Sequence, residues 1–129
     1  MKKNILITGG AGFIGSSLAF ELQIKFPEYK ITIFDKFNNR QRRENGNFES
    51  YGDYKNLIGL KAEVITGDLA NDLDVTNLLK NKFDIIFHQA AISDTTVLNQ
   101  NEVLKTNTSS FSYFINYCIN NDCKLIYAS

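Results

Sequence analysis

Short apolar segments alternate with longer amphipathic ones along the chain. Five of the short segments carry few polar residues, which predicts parallel strands covered on both faces, at residues 4–8, 31–34, 63–66, 83–87 and 124–129. Apolar residues at helical spacing lie between them and predict helices over residues 13–25, after Asp68 and up to Asn121. The alternation predicts an α/β fold, a Rossmann-type doubly wound parallel sheet of about five strands.

Two of the predicted helices carry an apolar face that we expect to pack on the sheet. In the first, the face is formed by residues one turn apart, Ile14, Leu18, Leu22 and Phe26. In the last, it is formed by Phe111, Phe114, Ile115, Cys118 and Ile119.

A glycine-rich loop joins the first strand to the first helix. Gly10, Gly12 and Gly15 fit the pattern G-x-G-x-x-G, and Gly9, Gly12 and Gly15 equally fit G-x-x-G-x-x-G. Such a loop lets a pyrophosphate approach the backbone at the positive end of the helix. Asp35 ends the second strand about 20 residues further on, where an acid binds the ribose of a dinucleotide. Together they predict a dinucleotide site.

Basic residues crowd the segment after Asp35, at Lys36, Arg40, Arg42 and Arg43. A carboxylate at Asp35 favours NAD, whereas a guanidinium nearby can hold the 2′-phosphate of NADP. A solvated basic loop is the alternative interpretation.

Further candidate residues follow the third and fourth strands. Asp68 is placed to bind the adenine amino group, and Ala90 and Ala91 suit a backbone that passes close to a ligand. A polar run at residues 92–96 falls at the carboxyl edge of the sheet, where ligands collect in such folds. Asn107 lies one turn upstream of the apolar face of the last helix, so we expect its amide to be hydrogen-bonded.

Composition narrows the possible partners. Among 129 residues, 14 acidic and 14 basic ones balance, so no overall charge recruits nucleic acid or an anionic membrane. No apolar run approaches the roughly 20 residues of a membrane span, and the absence of a leader before the first strand predicts a cytoplasmic protein. Two cysteines and the single His88 predict no metal site.

The motifs together resemble the extended short-chain dehydrogenase/reductase superfamily of nucleotide-sugar epimerases and dehydratases. The matching parts are TGGAGFIG at residues 8–15, Asp35, Gly67-Asp68, FHQAA at residues 87–91, Asn107 and YAS at residues 127–129. Within the superfamily, the Ser-x-Thr-Thr run formed by Ser93, Thr95 and Thr96 is similar to that of the ADP-glyceromanno-heptose 6-epimerase branch.

The resemblance implies specific roles for residues of this chain. It implies cofactor contacts for Phe13 and Ile14, for Asp35 with Lys36, for Arg42, for Gln89 to Ser93 and for Asn107, and substrate contacts for Ser93, Thr95 and Thr96. It further implies that the enzyme binds NADP, with NAD as the alternative cofactor. The reaction it implies is transient oxidation at C6 of a nucleotide-linked heptose, carried out by a homo-oligomeric enzyme of lipopolysaccharide core synthesis. UDP-sugar 4-epimerases, dTDP-sugar 4,6-dehydratases and non-catalytic NAD(P) sensors are the alternatives.

The superfamily carries its proton-transfer pair, Tyr-x-x-x-Lys, on a helix after the fifth strand. We therefore expect residues 1–129 to be the N-terminal part of a dinucleotide-binding domain, to lack the catalytic helix and the substrate domain, and to be inactive alone. Ser129 is the one candidate catalytic residue within the chain, at the start of a Ser-Ser pair. Tyr51 and Lys55 also match Tyr-x-x-x-Lys, but they precede the third strand, so we interpret this match as coincidental.

Overall fold

The computed structural model describes residues 1–92 and 96–128 and confirms the predicted fold class. Its strands are β1 (Asn4–Thr8), β2 (Lys30–Asp35), β3 (Ala62–Thr66), β4 (Ile85–His88) and β5 (Lys124–Tyr127). They form one parallel sheet in the order β3-β2-β1-β4-β5. The strand order reverses direction beside β1, so the carboxyl ends of β1 and β4 flank the switch point where ligands bind in open α/β sheets.

Four α-helices connect these strands, α1 (Phe13–Lys25), α2 (Asp72–Leu78), α3 (Gln100–Leu104) and α4 (Phe111–Asn121). A 3-10 turn at Tyr54–Leu57 precedes β3, and a π-helical turn at Lys105–Ser109 separates α3 from α4. Between β4 and β5, the sequence predicted a single helix that ends near Asn121. The π turn was missed because it lacks a periodicity of its own.

Side chains of the central strands point alternately to the two faces of the sheet. Leu6 and Ile86 pack in one cluster with Phe114 of α4, whereas Ile5 and Ile7 pack in the other with Ala19 of α1. All six of these side chains are fully buried. Two separate cores, one on each face, are what a doubly wound sheet requires.

The predicted inward face of α1 is wrong at both ends, where Ile14 and Phe26 are exposed. Ile14 is 66% exposed, and the residues buried in this helix are small ones, Gly15, Ser16 and Ala19. The helix approaches the sheet closely through these small residues, and Leu18 and Leu22 are only partly buried at the edge of the core. The close approach rotates the larger apolar residue at the helix start away from the sheet.

The predicted inward face of α4 is also partly wrong. Phe114 and Cys118 are buried as expected, but Ile119 is 73% exposed, and Tyr117 is buried instead. The Tyr117 hydroxyl accepts a hydrogen bond from the Phe83 amide (2.8 Å) and donates one to the Asn81 carbonyl (2.9 Å). These bonds satisfy the polar end of the ring and so permit its burial, which apolar periodicity alone does not predict.

Several strand boundaries differ from the predicted ones by one or two residues. β4 begins at Ile85 and ends at His88, so His88 belongs to the sheet rather than to the following loop. The outer strands, β3 and β5, are largely exposed. Within the described residues, the helices are too short or too polar to cross a membrane.

Candidate functional site

A cleft of about 250 Å³ opens at the carboxyl edge of the sheet. Its walls come from the glycine loop (residues 8–15), from the end of β2, from the segment after β4 and from residues 36–53, here called the arginine loop. The predicted site residues that line it are Gly9, Gly12, Asp35, Lys36, Asp68, Gln89, Ala90 and Ala91. The topology therefore brings together residues that lie more than 80 positions apart in the chain.

The glycine loop is built by close backbone packing. Gly9 has φ +67°, and a Cβ there would lie 2.8 Å from the backbone of Ala90. A Cβ on Gly15 would collide with the carbonyl oxygen of Gly9. Glycine is therefore required at both positions. Gly10 is also confined, because a Cβ there would lie 2.6 Å from Cδ1 of Ile33, so both glycine patterns stay open.

Gly12 differs from the other two glycines because the protein itself leaves room beside it. A Cβ there would meet only the Gly9 carbonyl oxygen, at an ordinary contact distance of 3.4 Å. Gly12 lines the cleft at the N-cap of α1, and no side chain caps the helix. The open space and the uncapped amides of the first turn fit a pyrophosphate.

Asp35 is fixed at the end of β2 by two backbone amides. One carboxylate oxygen accepts a hydrogen bond from Ala11 (3.0 Å) and the other accepts one from Phe37 (2.9 Å). Gly52 packs directly on this carboxylate, so the side chain is largely buried. Each carboxylate oxygen keeps a second lone pair, so Asp35 can still accept a hydrogen bond from a ribose hydroxyl.

Thr8 and His88 join the ends of β1 and β4 beneath the cleft. The Thr8 hydroxyl oxygen accepts a hydrogen bond from the Ala90 amide (3.2 Å) and lies 2.8 Å from Nδ1 of His88. Either atom can be the donor, because the hydroxyl oxygen keeps a second lone pair and a neutral imidazole accepts at Nδ1 or donates from it, depending on its tautomer. Burial lowers the pKa of His88 to about 4, in agreement with the neutral form. Thr8 and His88 both belong to motifs quoted for the resemblance, but the sequence did not predict that they form a pair.

Lys36 lies between two carboxylates at the ribose end of the cleft. Its Nζ is 3.4 Å from Oε2 of Glu49 and 3.3 Å from Oδ2 of Asp68. Asp68 also accepts a hydrogen bond from the Ala70 amide (2.9 Å). The acid predicted to bind adenine therefore pairs with the lysine predicted to bind ribose.

Two of the three arginines of the arginine loop, Arg42 and Arg43, point to different places. Arg42 donates a hydrogen bond to the Gly46 carbonyl (2.6 Å) and stacks 4.1 Å above the ring of Phe48, outside the cleft. Arg43 lines the cleft, and its guanidinium pairs with Glu102 of α3 at 2.8 Å. The Nε of Arg43 is buried and has no hydrogen-bond partner among the described residues. A cofactor contact by Arg42 stays a prediction, and Arg43 was named only as part of the basic segment.

Asn107 holds the segment after β4 from the π-helical turn. Its amide oxygen accepts a hydrogen bond from the Ile92 amide (2.7 Å), and its amide nitrogen donates one to the Ile92 carbonyl (2.8 Å). The expectation that this amide bonds a buried partner is confirmed. Asn107 itself does not line the cleft, but Ile92 does, so Asn107 can position the cleft wall.

The remaining predicted site residues fall outside the cleft wall or outside the described residues. Phe13 is 86% exposed at the start of α1, and Thr96 accepts a hydrogen bond from the Asn45 side chain (2.9 Å). Ile14, which is also exposed, and the buried Gly15 do not line the cleft. Ser93, Thr95 and Ser129 lie outside the described residues, so their predicted roles remain predictions.

The other reactive side chains offer no second site. Burial raises the pKa of the Cys118 thiol and raises that of the Cys123 thiol to about 12, so both stay protonated. Tyr51 lies in the arginine loop, and Lys55 lies in the 3-10 turn, where it pairs with Asp53 at 3.7 Å. Across residues 1–92 and 96–128, no group of three or more potential ligands could hold a metal ion.

The sequence and the fold both match known proteins. The model of the NAD dependent epimerase/dehydratase family matches residues 5–129. The structure of ADP-L-glycero-D-manno-heptose-6-epimerase of Helicobacter pylori matches 99% of this chain, with 49% sequence identity and a TM-score of 0.85. The enzyme of the same name from Brachyspira hyodysenteriae is 30% identical over 97% of the chain. UDP-N-acetylglucosamine 4-epimerase of Methanobrevibacter ruminantium is 29% identical over 100% of the chain, with a TM-score of 0.73.

The chain spans little more than a third of each of these three proteins, 39%, 36% and 38% of their respective lengths.

Proposed function

Because the chain belongs to the NAD dependent epimerase/dehydratase family, we propose that it is the N-terminal, cofactor-binding part of a nucleotide-sugar epimerase. The substrate would be ADP-D-glycero-D-manno-heptose, which is epimerised at C6 to the L-glycero form for lipopolysaccharide core synthesis in the cytoplasm. The observation that carries this proposal is the 49% identity to the Helicobacter pylori heptose epimerase along 99% of the chain.

The cleft is suited to a nicotinamide dinucleotide. The uncapped first turn of α1 and the space beside Gly12 would hold the pyrophosphate, and Asp35 would accept a hydrogen bond from the adenosine ribose. Lys36 and Arg43 are the cations of the cleft that can meet a 2′-phosphate. These two residues favour NADP, and NAD is the alternative cofactor.

The chain's own residues would shape the cleft around the nicotinamide end. Gln89, Ala90, Ala91 and Ile92 form this wall, and Asn107 holds it through Ile92. When bound, an oxidised nicotinamide supplies a hydride acceptor that can return the hydride to either face of a transient ketone. Ser93, Thr95 and Thr96 would contact the sugar.

The chemical step would also need residues beyond this chain. We propose that the parent protein carries a Tyr-x-x-x-Lys pair on a helix after β5, with its substrate domain, and acts as a homo-oligomer. The lysine would lower the pKa of the tyrosine so that the tyrosine exchanges a proton with the sugar hydroxyl. Residues 1–129 alone would be unable to epimerise.

A panel of nucleotide sugars tests the substrate with the full-length protein. We expect conversion of ADP-D-glycero-D-manno-heptose to its C6 epimer, followed by NMR, and no conversion of UDP-glucose or UDP-N-acetylglucosamine. Epimerisation of a UDP-sugar at C4 would instead support the relationship to UDP-sugar 4-epimerases. Cofactor binding without conversion of any sugar nucleotide would favour a non-catalytic sensor.

A further inference from the structure

Glu49 is a carboxylate at the ribose end of a cleft proposed to bind an anionic cofactor. Its side chain extends from the arginine loop, and its Oε2 is 3.4 Å from Nζ of Lys36. Both side chains are about one third exposed, 33% for Lys36 and 29% for Glu49. Lys36 directly follows Asp35, so a group attached to the ribose held by Asp35 would come close to both members of this pair.

The described wall of the cleft carries more negative than positive charge. Its cations, Lys36 and Arg43, each pair with carboxylates, and the wall has an excess of two formal negative charges. A 2′-phosphate would add up to two further negative charges. Partly buried charges are screened less by solvent than exposed ones, so this imbalance would affect the choice between the two cofactors.

Glu49 differs from the other three carboxylates of the cleft in its contacts. Asp35 accepts two backbone amides, Asp68 accepts the Ala70 amide, and Glu102 pairs with the nearly buried Arg43. Among the described residues, the Glu49 carboxylate contacts only Lys36. Removing its charge would therefore free Lys36 from one carboxylate without breaking a bond that holds the backbone.

We propose that Glu49 is a selectivity residue that weakens binding of a dinucleotide with a 2′-phosphate relative to one with a free 2′-hydroxyl. The carboxylate acts in two ways. It neutralises Lys36, which would otherwise attract the phosphate, and it repels the phosphate directly. This proposal rests on the proposed cofactor-binding function.

Calorimetric titration of NAD and NADP into the full-length protein, freed of bound nucleotide, tests the proposal. In Glu49→Gln, the affinity for NADP should rise about tenfold relative to that for NAD at low ionic strength. Glu49→Asp, which keeps the charge, should leave the ratio near that of the wild type. The gain should shrink in about 0.5 M salt. It should also be smaller when Glu49→Gln is compared with Glu49 in a Lys36→Gln background, where only the direct repulsion is relieved.

Glu63→Gln is the matched control, because Glu63 pairs with Lys30 at 3.2 Å on the exposed side of β3. In this control, the ratio of NADP affinity to NAD affinity should stay within about twofold of the wild-type ratio. The proposal is overturned if Glu49→Gln leaves the ratio within twofold, or if Glu63→Gln raises it equally. If the wild type binds both cofactors, such a result leaves the proposed function standing. If the wild type binds neither, the proposed function fails and this proposal fails with it.

Discussion

The glycine loop and the arginine loop both line one cleft but are held in different ways. In the glycine loop, backbone packs on backbone, as where Gly15 meets the carbonyl of Gly9. In the arginine loop, side chains reach distant segments: Arg43 pairs with Glu102 on α3, and Asn45 bonds Thr96. The contact between Gly15 and Gly9 is local, although Gly9 also packs on the backbone of Ala90. The arginine loop depends on side-chain contacts between residues more than 50 positions apart.

The largest effect should follow from a change that wedges the glycine loop apart. In Gly15→Ala, the new Cβ would collide with the Gly9 carbonyl oxygen and lie 2.8 Å from Gly10 Cα, and both are backbone atoms that cannot turn aside. We expect a loss of about 3 kcal/mol in unfolding free energy, measured by urea denaturation. Gly12→Ala, whose Cβ has room, should lose less than about 1 kcal/mol. Equal losses would show that the packing is looser than the structure indicates.

A loss of stability of similar size should follow from lowering the pH, because of His88 beneath the glycine loop. Its pKa is about 4 in the folded chain and near 6.5 when unfolded, so the unfolded state binds the proton more readily between these values. Stability should therefore be highest above pH 6.5 and fall as the pH drops towards 4, by up to about 3 kcal/mol. Thermal melts of wild type and His88→Gln across this range measure it. A wild-type profile as flat as that of the variant would refute the buried neutral histidine.

A smaller and local effect should follow when the arginine loop loses its anchor. Glu102→Ala leaves Arg43, whose side chain is 9% exposed, without its carboxylate. We expect the free energy of unfolding to fall by about 1–2 kcal/mol, with faster hydrogen exchange confined to the arginine loop and α3. Glu63→Ala removes an exposed pair and should lose less than about 0.5 kcal/mol. Unchanged exchange in the Glu102 variant would mean that other contacts hold the loop.

The smallest effect should separate the two neighbouring arginines. Arg42 is engaged with Gly46 and Phe48 outside the cleft, so Arg42→Ala should change NADP affinity less than about threefold. Arg43 lines the cleft, and Arg43→Ala should weaken NADP binding about tenfold. Titrations of both cofactors measure this difference. A larger loss in the Arg42 variant would favour the sequence-based assignment.

The sequence predicted the features that depend on local chemistry. Unbroken apolar strands, the glycine spacing and Asp35 at a strand end each follow from neighbouring residues, so the sheet and the glycine loop were predicted. Glu49 and Glu102 were missed because their importance arises only when the arginine loop folds across the cleft to meet Lys36 and α3.

The helix faces show the same limit. Apolar spacing indicated that α1 and α4 are amphipathic, but it could not choose between Ile119 and Tyr117, because the hydroxyl of Tyr117 needs its bonds to Phe83 and Asn81 to be buried. In α1, the close approach at Gly15 decides the rotation of the helix. Tertiary contacts thus determined the details that periodicity left open.

Dinucleotide titration of Gly12→Val tests the central claim most directly. The claim is that the space beside Gly12 at the start of α1 holds the cofactor pyrophosphate. In full-length protein freed of nucleotide, we predict one calorimetric site per chain for the wild type. The folded variant should bind at least about tenfold more weakly, because its side chain would fill the space beside Gly12 that the protein leaves open. Undiminished binding by a folded Gly12→Val protein would contradict the account.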